Sequence, residues 1–507
     1  MTNTSLRHAG LILIATTAVA KLVGFLREAV IASAYGTTHT VDIYLAAMTL
    51  PAMVVTIAFH SIPNAFVPLF AERSGRIHVR RQAVWLLGVM ALLSAGAWVL
   101  AKPLAGLTNA GFPPEYREET VVVLRITAVA IAMATIEALT RSRLLAQRRF
   151  LRAGLSLMWQ SAVMIVAIWL FPSGGARTLA WGFVAGGAAA ALWNLLPARG
   201  RTDVAMPVPD PIAAESAGVS IKFWVPLVLL ADSIPQLYSV IDRHLASYLA
   251  EGSIASLQYS SLIATMPVSI CGLTLGTAIL PFLSTAIHDR NMARASDIFD
   301  KAIRWSLLVV VPVTIWMLFF ANDVTRLLYQ RGAFGEASRQ LTASTLFVYT
   351  MGLIPNVLMA IAAKVFYALR RWGPLLLASS LGIIAKWFLS ILWVDQGGTA
   401  GLAAAAVAGY VIGMCVLAVA LPGSLLARWR GWAKILIGLG VVCSCGSLVT
   451  VGLIHALPEL SSALIATIRL SVGACLCFVG IWWAAPRIEL VEFASIRAAI
   501  KRPSSRS

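Results

Sequence analysis

Lys21, Arg27, Glu28 and Asp42 fall within residues 21–72, where two long apolar segments are joined by a short polar turn. A charge at the centre of a membrane helix costs about 2.5–3.5 kcal/mol on insertion scales, so such residues face a protein interior or a watery cavity and mark the path of a substrate or an ion. Lys21, with an apolar run ahead of it, is the deepest of the four. Lys21 and Glu28 are seven residues apart and share nearly one helix face, whereas Arg27 points about 120° away on a 3.6-residue helix. Lys21 is thereby predicted to face the cavity. For Arg27, Glu28 and Asp42 the alternative is a place near the outer interface, with the side chains snorkelling to water. Bond-making chemistry has little support, because the chain holds no G-x-x-x-x-G-K-[ST], no H-E-x-x-H and no plausible nucleophile and base set.

Composition sets the class of element that positions these charges. The chain is 59% hydrophobic and 12% charged, with mean hydropathy +0.82. Soluble domains carry about 25% charged residues, so this is an integral membrane protein. The net charge of +18 does not indicate nucleic acid, because the basic residues sit mainly in short loops between apolar spans. Cys271, Cys415, Cys443, Cys445, Cys475 and Cys477 all lie in apolar stretches without metal-ligand spacing. They read as small buried residues, and each C-x-C pair on a helix points to two faces. No metal or cofactor is called for.

Apolar runs of about 20 residues each give about fourteen spans, over 11–34, 43–70, 83–101, 121–139, 155–171, 179–196, 223–249, 257–287, 305–321, 341–363, 375–393, 401–421, 435–455 and 464–484. The first run is longer than a signal-peptide core and has no convincing cleavage site after it, so it reads as a retained span. Arginines concentrate in loops after even-numbered spans (Arg80, Arg81, Arg148, Arg149, Arg290, Arg370, Arg428), which makes those loops and both termini cytoplasmic. One loop fits poorly: 322–340 carries Arg326, Arg331 and Arg339 yet comes out external.

The chain also repeats itself. IAS (31–33), TLP (49–51) and AFVPLF (65–70) are echoed in order by LAS (245–247), TMP (265–267) and AILPFL (278–283). An acid precedes each set, Glu28 and then Asp242, with Arg243 beside the latter. A parallel duplication follows, giving an all-α protein of two pseudo-symmetric six-helix lobes with a cavity between them, plus two C-terminal helices. The predicted division is 1–200 for the N-terminal lobe, 201–220 for a cytoplasmic linker rich in Pro and Ala, 221–428 for the C-terminal lobe, and 429–507 for the last two helices and a basic tail. Prolines such as Pro51, Pro63, Pro267 and Pro312 invite bends. Gly182-x-x-x-Gly186 and Gly272-x-x-x-Gly276 permit close helix approach.

The runs GFLRE (24–28), VDIYLAAMTLP (41–51), AFVPLF (65–70), GTAILPFLS (276–284) and GGTAGLAAAA (397–406) resemble the MurJ/MviN family, lipid II flippases of the multidrug/oligosaccharidyl-lipid/polysaccharide exporter superfamily. The resemblance spans the first twelve helices. It implies a V-shaped alternating-access transporter in the bacterial inner membrane, a groove at helices 13 and 14 for a polyprenyl tail, and basic residues that hold the diphosphate of an undecaprenyl-type lipid-linked glycan. Membrane lipids are the other partners, and the chain is expected to act as a monomer. Lys21 falls where the family has an arginine, Arg27 and Glu28 match its Arg-acid pair, and Asp42 matches its helix 2 aspartate. Val55 replaces a family arginine, and Ser261-Leu262 replace an Asp-Arg pair, leaving fewer bidentate contacts for a diphosphate.

Some members of the family resembled bind sodium between an acid on helix 7 and polar groups on helices 11 and 12. Asp232 matches that acid, while Lys386 and Ser390 stand where an asparagine and a second acid are expected. An ammonium beside Asp232 would act as a built-in cation, so Asp232, Lys386, Asp242 and Arg243 are the candidate ion-pair or coupling residues of the second lobe; the alternative for Lys386 is snorkelling to an interface. Moving a sugar diphosphate through hydrocarbon requires a cavity whose cations replace its hydration. Two other functions stay open: a non-transporting scaffold for envelope-synthesis enzymes, and export of amphipathic cations, which would favour an acidic cavity. Among lipid-linked glycans, an exopolysaccharide or O-antigen unit is the alternative to lipid II.

Overall fold

The computed structural model describes residues 3–71, 76–147, 149–196, 236–269, 275–426, 428–455 and 462–484. Among them all regular structure is helical, as the composition predicts. Contacts divide the chain into two units, residues 1–255 with 331–335, and residues 256–330 with 336–507.

The first unit holds α1 (Asn3–Tyr35), α2 (His39–Ala71), α3 (Arg76–Val99), α4 (Ala101–Thr108), α5 (Pro114–Ala146), α6 (Phe150–Leu170), α7 (Gly175–Leu195) and α8 (Gln236–Ala246). Helix α5 is central: α2, α7 and α3 pack along it, while α6 packs on α7 and α1. Small residues make this possible, with Ala128, Ala134 and Ala138 of α5 buried. The buried hydroxyls of Thr127 and Thr135 donate to their own helix, at 3.1 Å to the Leu124 carbonyl and 2.9 Å to that of Ile131. No donor is left stranded in the core by either residue. The expected glycine contact holds on α7, where a Cβ at Gly186 would sit 2.6 Å from Gln160 Cα of α6. Helix α3 lies at the rim and exposes Trp85 and Leu92, an apolar surface suited to lipid.

The second unit takes over within α9 (Ser253–Val268) and continues through α10 (Gly276–His288), α11 (Met292–Tyr329), α12 (Glu336–Met351), α13 (Leu353–Ala368), α14 (Gly373–Ala420), the short α15 (Gly423–Leu426), α16 (Trp429–His455) and α17 (Ser462–Ala484). Helix α11 is its spine and touches α10, α12, α13, α16 and α17. It starts at Asn291, whose side chain accepts from the Arg294 N–H at 2.9 Å, an N-cap. At its other end Arg469 of α17 reaches Asp323, Nη1 to Oδ2 3.7 Å.

Among the described residues nine helices are long and apolar enough to cross a membrane, or ten if the bent pair α12 and α13 is one span. The expected fourteen is larger for identifiable reasons, the first being that α1, which holds the expected span 11–34, is not among those helices. Parts of the expected spans 223–249 and 257–287 lie outside the described residues. Helix α14 runs 48 residues, about 72 Å at 1.5 Å per residue and more than twice a hydrocarbon core of about 30 Å. It covers both expected spans 375–393 and 401–421, divided at Gly398, whose φ of 52° and ψ of −131° only glycine adopts without strain. The expected span 341–363 is two helices meeting at 45°.

The poorly fitting loop also has a local explanation. Arg326 Nε donates to Gln330 Oε1 at 3.1 Å, and Arg339 is buried against Glu336 and Asn322. These two arginines are engaged by neighbours within the second unit. Each C-x-C pair divides between two faces, with Cys443 and Cys477 buried, but Cys445, Cys475 and Cys415 are exposed, so the reading of the cysteines as buried residues does not hold for these three.

Candidate functional site

Helix α1 brings Arg27 and Glu28 together in its C-terminal third. Their side chains close on each other, Arg27 Nη2 to Glu28 Oε1 2.5 Å. Glu28 is buried and Arg27 half-buried, and Arg27 Nε has no hydrogen-bond partner. Across from them α2 places Tyr44, buried within electrostatic reach of Arg27, Glu28 and Arg243.

Arg243 arrives on α8. Its Nη1 donates to Thr49 Oγ1 of α2 at 3.3 Å, and Asp242 next to it is buried. Sequence reading grouped Asp242 and Arg243 with the second lobe, but they lie in the first unit because the end of α8 is tied to it. His244 Nδ1 is 2.8 Å from the Leu107 carbonyl, and the Gly111 N–H donates to Ser247 Oγ at 3.1 Å. Arg27, Arg243 and Glu28 thus gather around Tyr44, with Asp242 beside Arg243, and a second anion has to exchange with a carboxylate already present. Lys21, on the same helix as Arg27, is exposed.

Asp42 has a different place. Its Oδ2 accepts from the Gly252 N–H and its Oδ1 from the Ala255 N–H, both at 2.7 Å. It is buried, and it caps the first turn of α9, where free N–H groups and the helix dipole favour a carboxylate. Glu251 returns the contact: its Oε1 accepts from the His39 N–H, the first of α2, at 2.7 Å, and lies 3.0 Å from His39 Nδ1. Each helix start is therefore capped by an acid from beside the other. The His39 backbone N–H, reinforced by its imidazole, holds the Glu251 carboxyl below the usual carboxylate range. Tyr116 stacks on the His39 ring at 5.0 Å. Gly252 makes the approach possible, since its φ is 85° and a Cβ there would overlap the Thr37 carbonyl oxygen.

In the second unit Lys386 of α14 is fully buried, as is Ser390 one turn on. The interface alternative for Lys386 therefore does not hold. Asp232 lies outside the described residues. Sequence reading missed Tyr44 and Thr49, whose only signal was a polar group flanked by apolar residues near charged ones. It also missed Glu137, an acid inside the expected span 121–139 that carried the same signal as Asp42. Among the described residues no group of His, Cys, Asp and Glu is arranged to hold a metal.

Residues 31–469 match the family described as lipid II flippase MurJ. The chain belongs to the MurJ family. A probable lipid II flippase MurJ of Rhizobium tropici is 28% identical over 420 residues, covering 77% of this chain and 76% of the relative. The lipid II flippase MurJ of Burkholderia cenocepacia is 27% identical over 374 residues, covering 69% and 71%. Among solved structures, a lipid II flippase MurJ in an inward closed conformation superposes with a TM-score of 0.76 at 18% identity, covering 94% of this chain and 99% of that one. An inward-facing multidrug resistance MATE family transporter of the MOP superfamily reaches 0.62 at 17% identity, covering 84% and 98%. The superpositions carry the fold alone: an all-helical fold of the MurJ and MATE type.

Proposed function

We propose that the chain is a membrane transporter that moves lipid II, a polyprenyl-diphosphate-linked glycan precursor of peptidoglycan synthesis, from the inner to the outer leaflet of the bacterial inner membrane by alternating access. The observation that supports this reading is the cluster of Arg27 and Arg243 with Glu28 in the first unit, in a chain whose relatives are named lipid II flippases.

Arg27 is a planar fork of donors, and a fork matches a phosphate in two parallel hydrogen bonds. In this structure one arm is closed on Glu28. The diphosphate displaces Glu28 from Arg27 on binding, Lys21 adds a compact positive charge, and Glu28 reclaims Arg27 on release. The exchange keeps Arg27 paired at every stage, and the displaced Glu28 stays within electrostatic reach of Arg243, which limits the cost of leaving a buried charge unpaired. Asp42, with both oxygens held by α9, positions α2 instead of touching the substrate. Export of amphipathic cations would require a surplus of acids, whereas Lys21, Arg27 and Arg243 outnumber Glu28 and Asp242.

The remaining architecture is proposed on the charge pattern and the repeat: lobes at 1–200 and 221–428, a linker at 201–220, a tail-binding pair of helices in 429–507, both termini cytoplasmic, and a monomeric working unit. Lys386, buried in mid-helix, is proposed to stand in for a bound sodium ion by pairing with Asp232, so that transport does not need sodium.

The reading is tested by expressing the chain in a strain depleted of its own lipid II flippase. Growth is expected with the wild type and with Lys21→Arg but not with Lys21→Ala. Rescue by the alanine variant at normal expression would point to a scaffold instead of a transporter.

A further inference from the structure

Glu137 sits inside the first unit with no counter-ion closed on it. It is 1% exposed, and its Oε2 is buried without a hydrogen-bond partner. Arg141, one turn along α5, is the described charge that acts on it. That guanidinium is placed elsewhere, over the ring of Phe59 of α2 at 5.5 Å, and its Nε is likewise buried and unpartnered. Opposite, α7 supplies Asn194, 6% exposed, whose Oδ1 has no partner and whose Nδ2 lies 3.4 Å from Thr140 Oγ1. The Thr140 hydroxyl is already donated to α5, at 2.8 Å to the Ile136 carbonyl and 2.9 Å to that of Glu137. Among the described residues the other charges on elements packed against α5 do not close on the site: Asp42 of α2 is held by the Gly252 and Ala255 N–H groups, and Arg177 of α7 is exposed. Arg152 of α6 is bound to the carbonyls of Trp193 and Leu196, and Arg80, Arg81 and Lys102 of α3 and α4 are exposed.

Among the described residues the cluster therefore holds two buried acceptor oxygens and no free O–H donor, since the Thr140 hydroxyl is committed to α5 and the Arg141 guanidinium lies over Phe59. A bare carboxylate at such a place is costly by several kcal/mol, and a buried acid escapes that cost by pairing or by taking a proton. Pairing is within reach, since Glu and Arg four residues apart on a helix are surface neighbours, yet Arg141 lies on Phe59. A neutral carboxylic acid supplies the missing O–H donor.

We propose that Glu137 is a proton-exchange site with two states set by Arg141. It is a carboxylic acid while Arg141 rests on Phe59, and a carboxylate when Arg141 leaves Phe59 and pairs with it. The proton released in the second state passes to water and is regained from water in the first, so no other reactant is needed. This deepens the transport reading and rests on it for the coupling to substrate movement.

The site is tested first without transport, by infrared difference spectroscopy of the full-length protein in lipid nanodiscs. At neutral pH the wild type is expected to show a protonated-carboxyl C=O band that is lost in Glu137→Gln. Phe59→Leu, which removes the seat of Arg141, is expected to shift loss of the band to lower pH. Identical carboxyl spectra in wild type and Glu137→Gln overturn the proposal, and so does a band removed by sodium at fixed pH, which would mark a cation site. Lipid II movement in proteoliposomes is then followed against pH. A pH-dependent rate in the wild type and a flat profile in Glu137→Gln support exchange, whereas the same profile in both overturns it and leaves transport standing. If the band behaves as expected and no lipid II moves, the proton site stands and the transport reading fails.

Discussion

Arg27 and Glu28 are chain neighbours whose side chains turn toward each other, Nη2 to Oε1 2.5 Å. Neighbours on a helix point about 100° apart, so the contact has to be held by its surroundings, here Tyr44 and the Arg243 guanidinium anchored on Thr49. Arg27→Ala strands a buried carboxylate at a cost of about 3–5 kcal/mol. It is expected to reduce lipid II translocation at least tenfold, and Arg27→Lys to rescue little because a point charge lacks the fork. Glu28→Gln is expected to leave lipid II binding intact while slowing turnover, since release loses its competing carboxylate. Native mass spectrometry of bound lipid and a rate measurement on the same preparations separate the two effects.

Lys21 is exposed. Lys21→Ala is expected to leave thermal stability within about 0.5 kcal/mol, the range for surface changes, and to abolish transport. Lys21→Arg is expected to retain or raise it. Equal transport by the alanine form at equal expression removes Lys21 from the substrate path.

The reciprocal caps predict stability effects with a defined sign in pH. Asp42→Ala removes the acceptor of two N–H groups in a buried setting, at about 1–3 kcal/mol for each donor left unsatisfied, and a lower melting temperature is expected. Glu251 is held below its ordinary pKa, chiefly by the His39 N–H. Its contribution is therefore present above the unfolded value of about 4.3 and is lost as pH falls through the depressed folded value. The wild type is expected to melt higher than Glu251→Gln at neutral pH, by a small margin because the side chain is half-exposed and screened. The two are expected to converge in acid. A gap that widens on acidification contradicts the cap.

Lys386 predicts ion dependence. With an ammonium fixed in the second unit and fully buried, transport is expected to proceed at the same rate in sodium-free buffer. Loss of activity that sodium restores would refute the built-in cation. Lys386→Met is expected to destabilise by about 3–5 kcal/mol, because it leaves the partner of a buried charge unpaired.

Much of the architecture is legible in the chain because hydrocarbon imposes a strong pattern. Apolar runs located α2, α6 and α7 to within a few residues and fell inside the longer α5 and α11, and the Gly182 and Gly186 spacing announced the close approach of α6 and α7. Charge at membrane depth pointed to Arg27 and Glu28 for the same reason. What escaped depends on pairing between distant positions. Asp42 and Gly252 are 210 residues apart, and nothing local to either distinguishes a helix cap from a substrate contact. The attachment of Asp242 and Arg243 to α2 is equally non-local. Glu137 was legible by the rule that found Asp42, an acid within an apolar span.

Lipid II translocation by the purified chain in proteoliposomes tests the central claim most directly, read as accessibility of labelled lipid II to an enzyme on one side of the membrane. Vesicles with the wild type are predicted to expose the inner-leaflet pool faster than protein-free vesicles, and vesicles with Arg27→Ala at the protein-free rate. Wild-type protein that is folded, inserted and no faster than empty vesicles would contradict lipid II as the substrate.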